Sequence, residues 1–383
     1  MNDNALPVDF DGFADARKQG FLDIKNLKDA GKKVVGMYCT YTPEEIFIAA
    51  GAVPVGICAF SDETIAEAEK VLPRNLCPLI KSSYGFAVTD KCPYLYFADL
   101  VVGETTCDGK KKMYELMGEI KNVHVMQLPQ SQFDEASQEL WYKEVLRLKE
   151  RVEADFGVTI TDEAIKSAIK IKNETRSLLK EFAELSKLNP PPIMGAEQLK
   201  LNYGQLFKFD LEEKNKELRQ MIDKVKTDYD NGVRNVPENA KRILVTGCPL
   251  AGVTEKVVKA IEESGGVVVV YENCIGYKPI ALNIDENAEP YRAIADRYLQ
   301  IGCSVMSPNA NRYDLITQLC KDFKVDGVVE MVLTACHTYA IETVETRKLM
   351  QSHDIPFISV ETDYSTSDTA QLKTRLAAFL EMM

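Results

Sequence analysis

Histidine and tryptophan are scarce in this chain of 383 residues, which holds three of the first and one of the second. Zinc and non-haem iron centres usually draw on several imidazoles, so this composition disfavours them. Nowhere do two cysteines stand at Cys-x-x-Cys spacing, which removes the zinc-ribbon, thioredoxin and bacterial-ferredoxin readings. Long apolar runs are missing too: stretches such as GGVVVVY are strand-sized and far short of a bilayer span. Cations are outnumbered, 46 Lys and Arg against 58 Asp and Glu, for a formal charge of −12. That excess argues against a nucleic-acid surface, which needs clustered positive charge. The opening MNDNALPVDFDGFADARKQG carries acidic residues where an export signal has basic ones and then an apolar run. A cytoplasmic protein with neither membrane nor nucleic acid as partner is expected.

What the chain does have is cysteine, ten in all. A reducing compartment speaks against a disulfide framework, which leaves burial or metal ligation. Many thiols and few imidazoles point toward iron–sulfur chemistry.

The run KKVVGMYC, the helix-like EEIFIAAG and the strand-like VPVGIC make a β-α-β unit, with Thr42 as cap, Pro43 in the first turn and Glu45 completing a capping box. Gly51 is the expected stop. ADLVVGETTC repeats the plan near residue 100. A second series begins at RILVTGCPL and runs through GGVVVVYENC, YLQIGCSVMSPN, VDGVVEMVLTACHTYA and IPFISVETDYS. Between the two lie long charged helical segments, WYKEVLRLKERVEADF and EEKNKELRQMIDKVKTDY, interrupted at Asn189-Pro190-Pro191-Pro192; their charges read as a solvated face. The expected fold is α/β: two Rossmann-like doubly wound parallel-sheet domains, 1–133 and 237–383, with a helical subdomain, 134–236, between them.

Cys39, Cys107, Cys248, Cys274 and Cys336 each close an apolar strand-like run, the edge of a doubly wound sheet where ligands gather. Cys77 and Cys92, each followed by proline, and Cys303 lie at loop-like corners. Cys58 reads as a core strand thiol, and Cys320 sits on the apolar helical face of Leu315, Ile316, Leu319 and Phe323. The segment from Gly103 to Lys110 has five residues between its glycines and no Ser or Thr after the lysine, so it is no phosphate loop. His337, Glu104 and Glu45 are the candidate proton donors and acceptors beside these cysteines; Lys81, Ser82 and Ser83 could add polar contacts.

The segments YCTYTPEEI, LPRNLCPLIKSSYGFAVTDKCPY, LVVGETTCDGKKKMYEL, VTGCPL, YENCIG, CSVMSPN, ACHTYAIE and ETDYS resemble the 2-hydroxyacyl-CoA dehydratase and benzoyl-CoA reductase family, and within it the double-cubane cluster proteins. The resemblance spans nearly the whole chain. It implies a homodimer, an oxygen-sensitive cluster, and a separate ATP-hydrolysing iron–sulfur activator that delivers low-potential electrons for reduction of a small molecule. ATP would be used on that activator alone. The dehydratases hold one 4Fe-4S cluster on three cysteines, which match Cys77, Cys107 and Cys336 here. A double cubane (8Fe-9S) needs six thiolates, for which Cys39, Cys274 and Cys303 form the second trio and Cys248 or Cys92 are rivals. Two other readings stay open at this point, a dehydratase subunit with a single cluster and a non-catalytic cluster carrier.

Overall fold

The structure, a computed structural model, describes residues 10–383, with side chains from residue 19 onward. Valine-rich runs form two four-stranded sheets. In the first, β1 (Val34–Met37), β2 (Val53–Gly56), β3 (Leu100–Glu104) and β4 (Val123–Met126) lie in the order β2-β1-β3-β4. In the second, β5 (Lys241–Gly247), β6 (Gly266–Glu272), β7 (Gly327–Leu333) and β8 (Phe357–Thr362) lie in the order β6-β5-β7-β8. Every pairing is parallel. Parallel strands covered on both faces need continuous apolar sequence, which is why β6 and β7 are buried along their whole length. The fold is α/β with two Rossmann-like sheets of the same strand order, as the sequence led one to expect.

Three long helices, Glu135–Phe156, Asp162–Glu184 and Leu211–Asp230, fill the middle of the chain. Each starts on a side-chain cap: Asp134 accepts from the Ser137 amide, Thr161 from Ala164 and Asp210 from Glu213. Val34, Val53 and Val101 of the first sheet and Ile243, Val329 and Val360 of the second belong to one continuous apolar cluster, so the two halves share a core.

Two local expectations fail. Thr42 and Glu45 form no capping box, because both side chains are taken by tertiary partners. The Thr42 hydroxyl is engaged by Glu104, with the Tyr38 carbonyl a longer alternative acceptor at 3.4 Å, while Glu45 accepts from Arg176 and Tyr298. The helix Glu44–Ala49 begins one residue later than expected, on Pro43; Gly51 does follow its end in the left-handed conformation. Nor is YLQIGCSVMSPN a strand. Its first residues end the helix Pro290–Leu299 and the rest is irregular. Among the described residues it pairs with neither edge of the second sheet, and its Ile301 carbonyl is satisfied instead by the Tyr41 hydroxyl and the Gln132 amide.

At the end of β5 the chain turns through Gly247 at φ +104, where a Cβ would lie 2.2 Å from the Met331 carbonyl oxygen. Only glycine fits that approach. Gly247→Ala should lower stability by more than about 2 kcal/mol, read as a shifted urea midpoint at unchanged slope.

Candidate functional site

In a doubly wound sheet the ligand crevice opens where the chain's winding reverses, beyond the carboxyl ends of the two strands flanking that point. In the first sheet those strands are β1 and β3, in the second β5 and β7. Cys39 and Cys107 follow the first pair; Cys248 and Cys336 follow the second. The crevices open into one cavity of about 1400 Å³. All six thiols singled out as ligands line it, and so do Cys248 and Cys58. Cys58 corrects the reading of a core strand thiol: β2 ends at Gly56, so the residue lies past the strand. Cys320 stays in the core, packed with Ile316, Leu319 and Phe323. Cys92 caps the short helix Pro93–Phe97 and packs against the core.

The thiols fall into two groups. Cys77 and Cys248 both lie within hydrogen-bonding reach of Cys336, and their thiols pull Cys336 well below the ordinary thiol range. That same contact, and then burial, pushes Cys77 up, while burial and then the contact push Cys248 up. Cys39 in turn contacts Cys274, which is lowered, and Cys39 is raised. Cys303 is pushed up by burial, with the Lys278 ammonium working against the rise. Cys107 feels the charge of both Cys336 and Cys39, which sets it between the groups.

Local structure explains why these sulfurs face the cavity. Cys77, Cys107 and Cys336 are the capping residues of the helices Pro78–Thr89, Asp108–Met117 and His337–Ser352. Backbone amides of each helix's first turn, Leu79 and Ile80, Lys110, and Tyr339, approach the respective sulfurs and favour the thiolate. Cys248 differs: its sulfur accepts the Leu333 amide at the end of β7, at 3.3 Å. Cys39 has φ +73 and Ala335, just before Cys336, has φ +59. Left-handed non-glycine residues at both crevices mark backbone strained where the thiols are aimed.

Buried cations stand beside the sulfurs. Lys110 lies 5.8 Å over the Tyr38 ring. Burial opposes its charge, yet Tyr114 and the thiols of Cys39, Cys58 and Cys107 raise it above the ordinary lysine value. Lys278 pairs with Glu272 at 3.2 Å and donates to the Tyr339 hydroxyl at 3.0 Å. Behind it Arg312, fully buried, donates to Thr246 and Thr346 and faces Glu272, Glu330 and Glu342.

Of the three acid–base candidates, His337 lines the cavity on its exposed rim. Glu104 is fully buried behind the cavity wall, joined to the cavity-lining Thr42 hydroxyl; burial, and then Cys39, push its carboxyl well above the usual range. Glu45 lies outside the cavity lining, paired to Arg176 at 2.7 Å. Lys81 pairs with Glu69, and Ser82 donates to the Ser61 carbonyl, away from the thiols.

One sequence reading is overturned here. The helical segment's charges are not all solvated: Lys172, Arg176 and Lys214 are buried and line the same cavity. Spacing alone could not separate them from their exposed neighbours, because lysines on both faces of the helix Leu211–Asp230 look alike in sequence. Cys248 was visible in sequence only as a rival, and the glycine before it was the signal that its backbone is special.

The profile of the 2-hydroxyglutaryl-CoA dehydratase D-component family matches residues 39–383. The chain belongs to that family. It is 55% identical to a putative dehydratase subunit, YjiM, of Escherichia coli K12, over 99% of this chain and 98% of that protein. It is 25% identical to the (R)-phenyllactyl-CoA dehydratase beta subunit of Clostridium sporogenes, over 94% of each chain. A subunit of the benzoyl-CoA reductase of Thauera aromatica is 21% identical over 92% of this chain and 91% of its own. In this member of the dehydratase family, no helix among the described residues is long and apolar enough to cross a membrane.

Within this family member, Lys214 offers a direct test of the cavity's electrostatics. Burial, and then Lys172, lower it from 10.5 to about 7. Between those values the unfolded chain holds a proton that the folded chain has released, so stability rises with pH across that window. Lys214→Met should remove this contribution, and urea unfolding of both proteins from pH 7 to pH 10 should show the flatter pH dependence in the variant.

Proposed function

We propose that this chain is an iron–sulfur reductase component of the double-cubane type, working in the cytoplasm as a homodimer. A separate ATP-hydrolysing activator would supply low-potential electrons, and a small molecule bound in the cavity would be reduced. The observation that carries this reading is the meeting of eight thiols from both halves of the chain on one cavity, where Cys77 and Cys248 contact Cys336 and Cys39 contacts Cys274. A mononuclear zinc or iron site is not the better alternative: among the described residues no three His, Cys, Asp or Glu are spaced to hold a single ion. Thiolates on a cluster bind different irons and do not need that spacing.

The donor set fits such a group. Cys77, Cys107 and Cys336, the three helix-capping thiols, would hold one half; Cys39, Cys274 and Cys303 would hold the other. Cys248, in contact with Cys336, is the rival for a place in the first trio. A bound cluster would supply electrons one at a time at low potential. Lys110, Lys278 and Arg312 offset the negative charge of the gathered thiolates. Glu104, its carboxyl pushed up by burial and then Cys39, is linked through the Thr42 hydroxyl to the cavity, and His337 stands at the exposed rim. Leu128, Ile275 and Leu333 add apolar wall that limits water.

A second reading is favoured by the relatives' names, which are mostly those of dehydratase subunits. In it the chain is a 2-hydroxyacyl-CoA dehydratase subunit with a single 4Fe-4S cluster on Cys77, Cys107 and Cys336, and the second thiol group is idle.

Iron and acid-labile sulfide on anaerobically purified protein separate the two. The first reading expects about eight irons per subunit, reduced in both Cys39→Ala and Cys336→Ala. About four irons, lost in Cys336→Ala and indifferent to Cys39→Ala, would overturn it in favour of the dehydratase. Iron lost in Cys248→Ala and retained in Cys107→Ala would move Cys248 into the first trio.

A further inference from the structure

Where the helical segment closes the cavity, four buried cations line it: Lys172, Arg176, Lys214 and Arg297. Two carboxylates answer them. Lys172 pairs with Glu44 at 2.7 Å and Arg176 with Glu45 at 2.7 Å. Among the described residues Lys214 reaches only the carbonyl and side-chain oxygens of Gln205, at 3.4 and 3.3 Å. Arg297 donates to the carbonyls of Leu282 and Pro279. In addition, the Nε of Arg176 is buried with no partner among the described residues. The pairs Lys172–Glu44 and Arg176–Glu45 can be understood as braces between the helices Asp162–Glu184 and Glu44–Ala49. The other two cannot: among the described residues neither has a carboxylate at ion-pair distance, Glu44 acting on Lys214 only at longer range and Arg297 lying 4.4 Å over the Tyr298 ring, so ion pairing does not account for burying either of them.

We propose that this end of the cavity is a subsite for an oxyanion, a carboxylate or phosphate group carried by the substrate, held by Lys214 and Arg297 with the free Nε of Arg176. The subsite places a negatively charged tail against the helical segment while the rest of the molecule extends toward the thiols. It shares a cavity with the proposed function and names the charge of the substrate, without depending on the kind of cluster bound there. A guanidinium and an ammonium together supply the forked and the point-charge donors that oxyanions need.

Thermal unfolding of the full-length protein, with its iron content measured in the same samples, tests the proposal. The probes are sodium phosphate and sodium succinate, each against sodium chloride at equal ionic strength, at a pH below that at which Lys214 loses its proton. Wild-type protein should gain stability with at least one probe beyond the chloride control, and the gain should saturate. Lys214→Met should weaken the apparent affinity about tenfold or more, and Lys214→Arg should keep it within a few-fold. Arg297→Gln removes the second cation independently, so the test survives if one variant fails to fold. A response to phosphate alone assigns a phosphoryl group, and a response to succinate alone a carboxylate. Absence of any gain beyond chloride, or an equal gain in wild type and in Lys214→Met, overturns the subsite. Iron content unchanged across these variants separates that failure from a failure of the cluster reading.

Discussion

A parallel sheet sends the carboxyl ends of all its strands to one side. Everything at this site depends on that constraint being met twice, by two sheets of identical order whose carboxyl ends open on one space. β3 and β7 are each followed by a turn and a helix, so Cys107 and Cys336 there meet amides of the helix's first turn. The same geometry that removes the strands' side chains from water leaves these sulfurs facing a cavity. No Cys-x-x-Cys motif is needed when topology does the gathering.

Burying so many ionisable groups has a cost, and the surrounding residues show how it is met. Thiolates near Cys274 and Cys303 are answered by Lys278, which is itself tied to Glu272, which in turn faces Arg312. On the other side Lys110 answers Cys39, Cys58 and Cys107. These cations are fully enclosed, so their fields are little screened by water. Removing Arg312 would leave Glu330 without its buried cation and Glu272 with Lys278 alone, a far larger cost than that of breaking a surface ion pair.

The left-handed turns at Cys39, Gly247 and Ala335, strained at the two non-glycine residues, belong to the same economy of shape. All three sit at turns leaving switch-point strands, with positive φ. Neighbouring packing holds them there: Met331 closes on Gly247, and the Cys248 and Cys336 amides bond to backbone carbonyls of the β7 end. Turns pinned in this way aim the thiols at the cavity.

Strand-length valine runs, helical spacing and turn residues were enough by themselves to determine an α/β chain with two parallel sheets and thiols at the strand ends, because those patterns are local and periodic. The candidate thiols were legible for the same reason, with Cys320 rightly left in the core. Tertiary structure decided the rest. Which partner Thr42 and Glu45 choose depends on residues more than sixty positions away in sequence, Glu104 and Arg176, so no cap rule could foresee it. That Cys248 touches Cys336, and that Lys214 is buried while other lysines of its helix are wet, follows from how separate segments pack. Burial is a property of the assembled fold, and the charges it traps are visible only once the neighbours are in place.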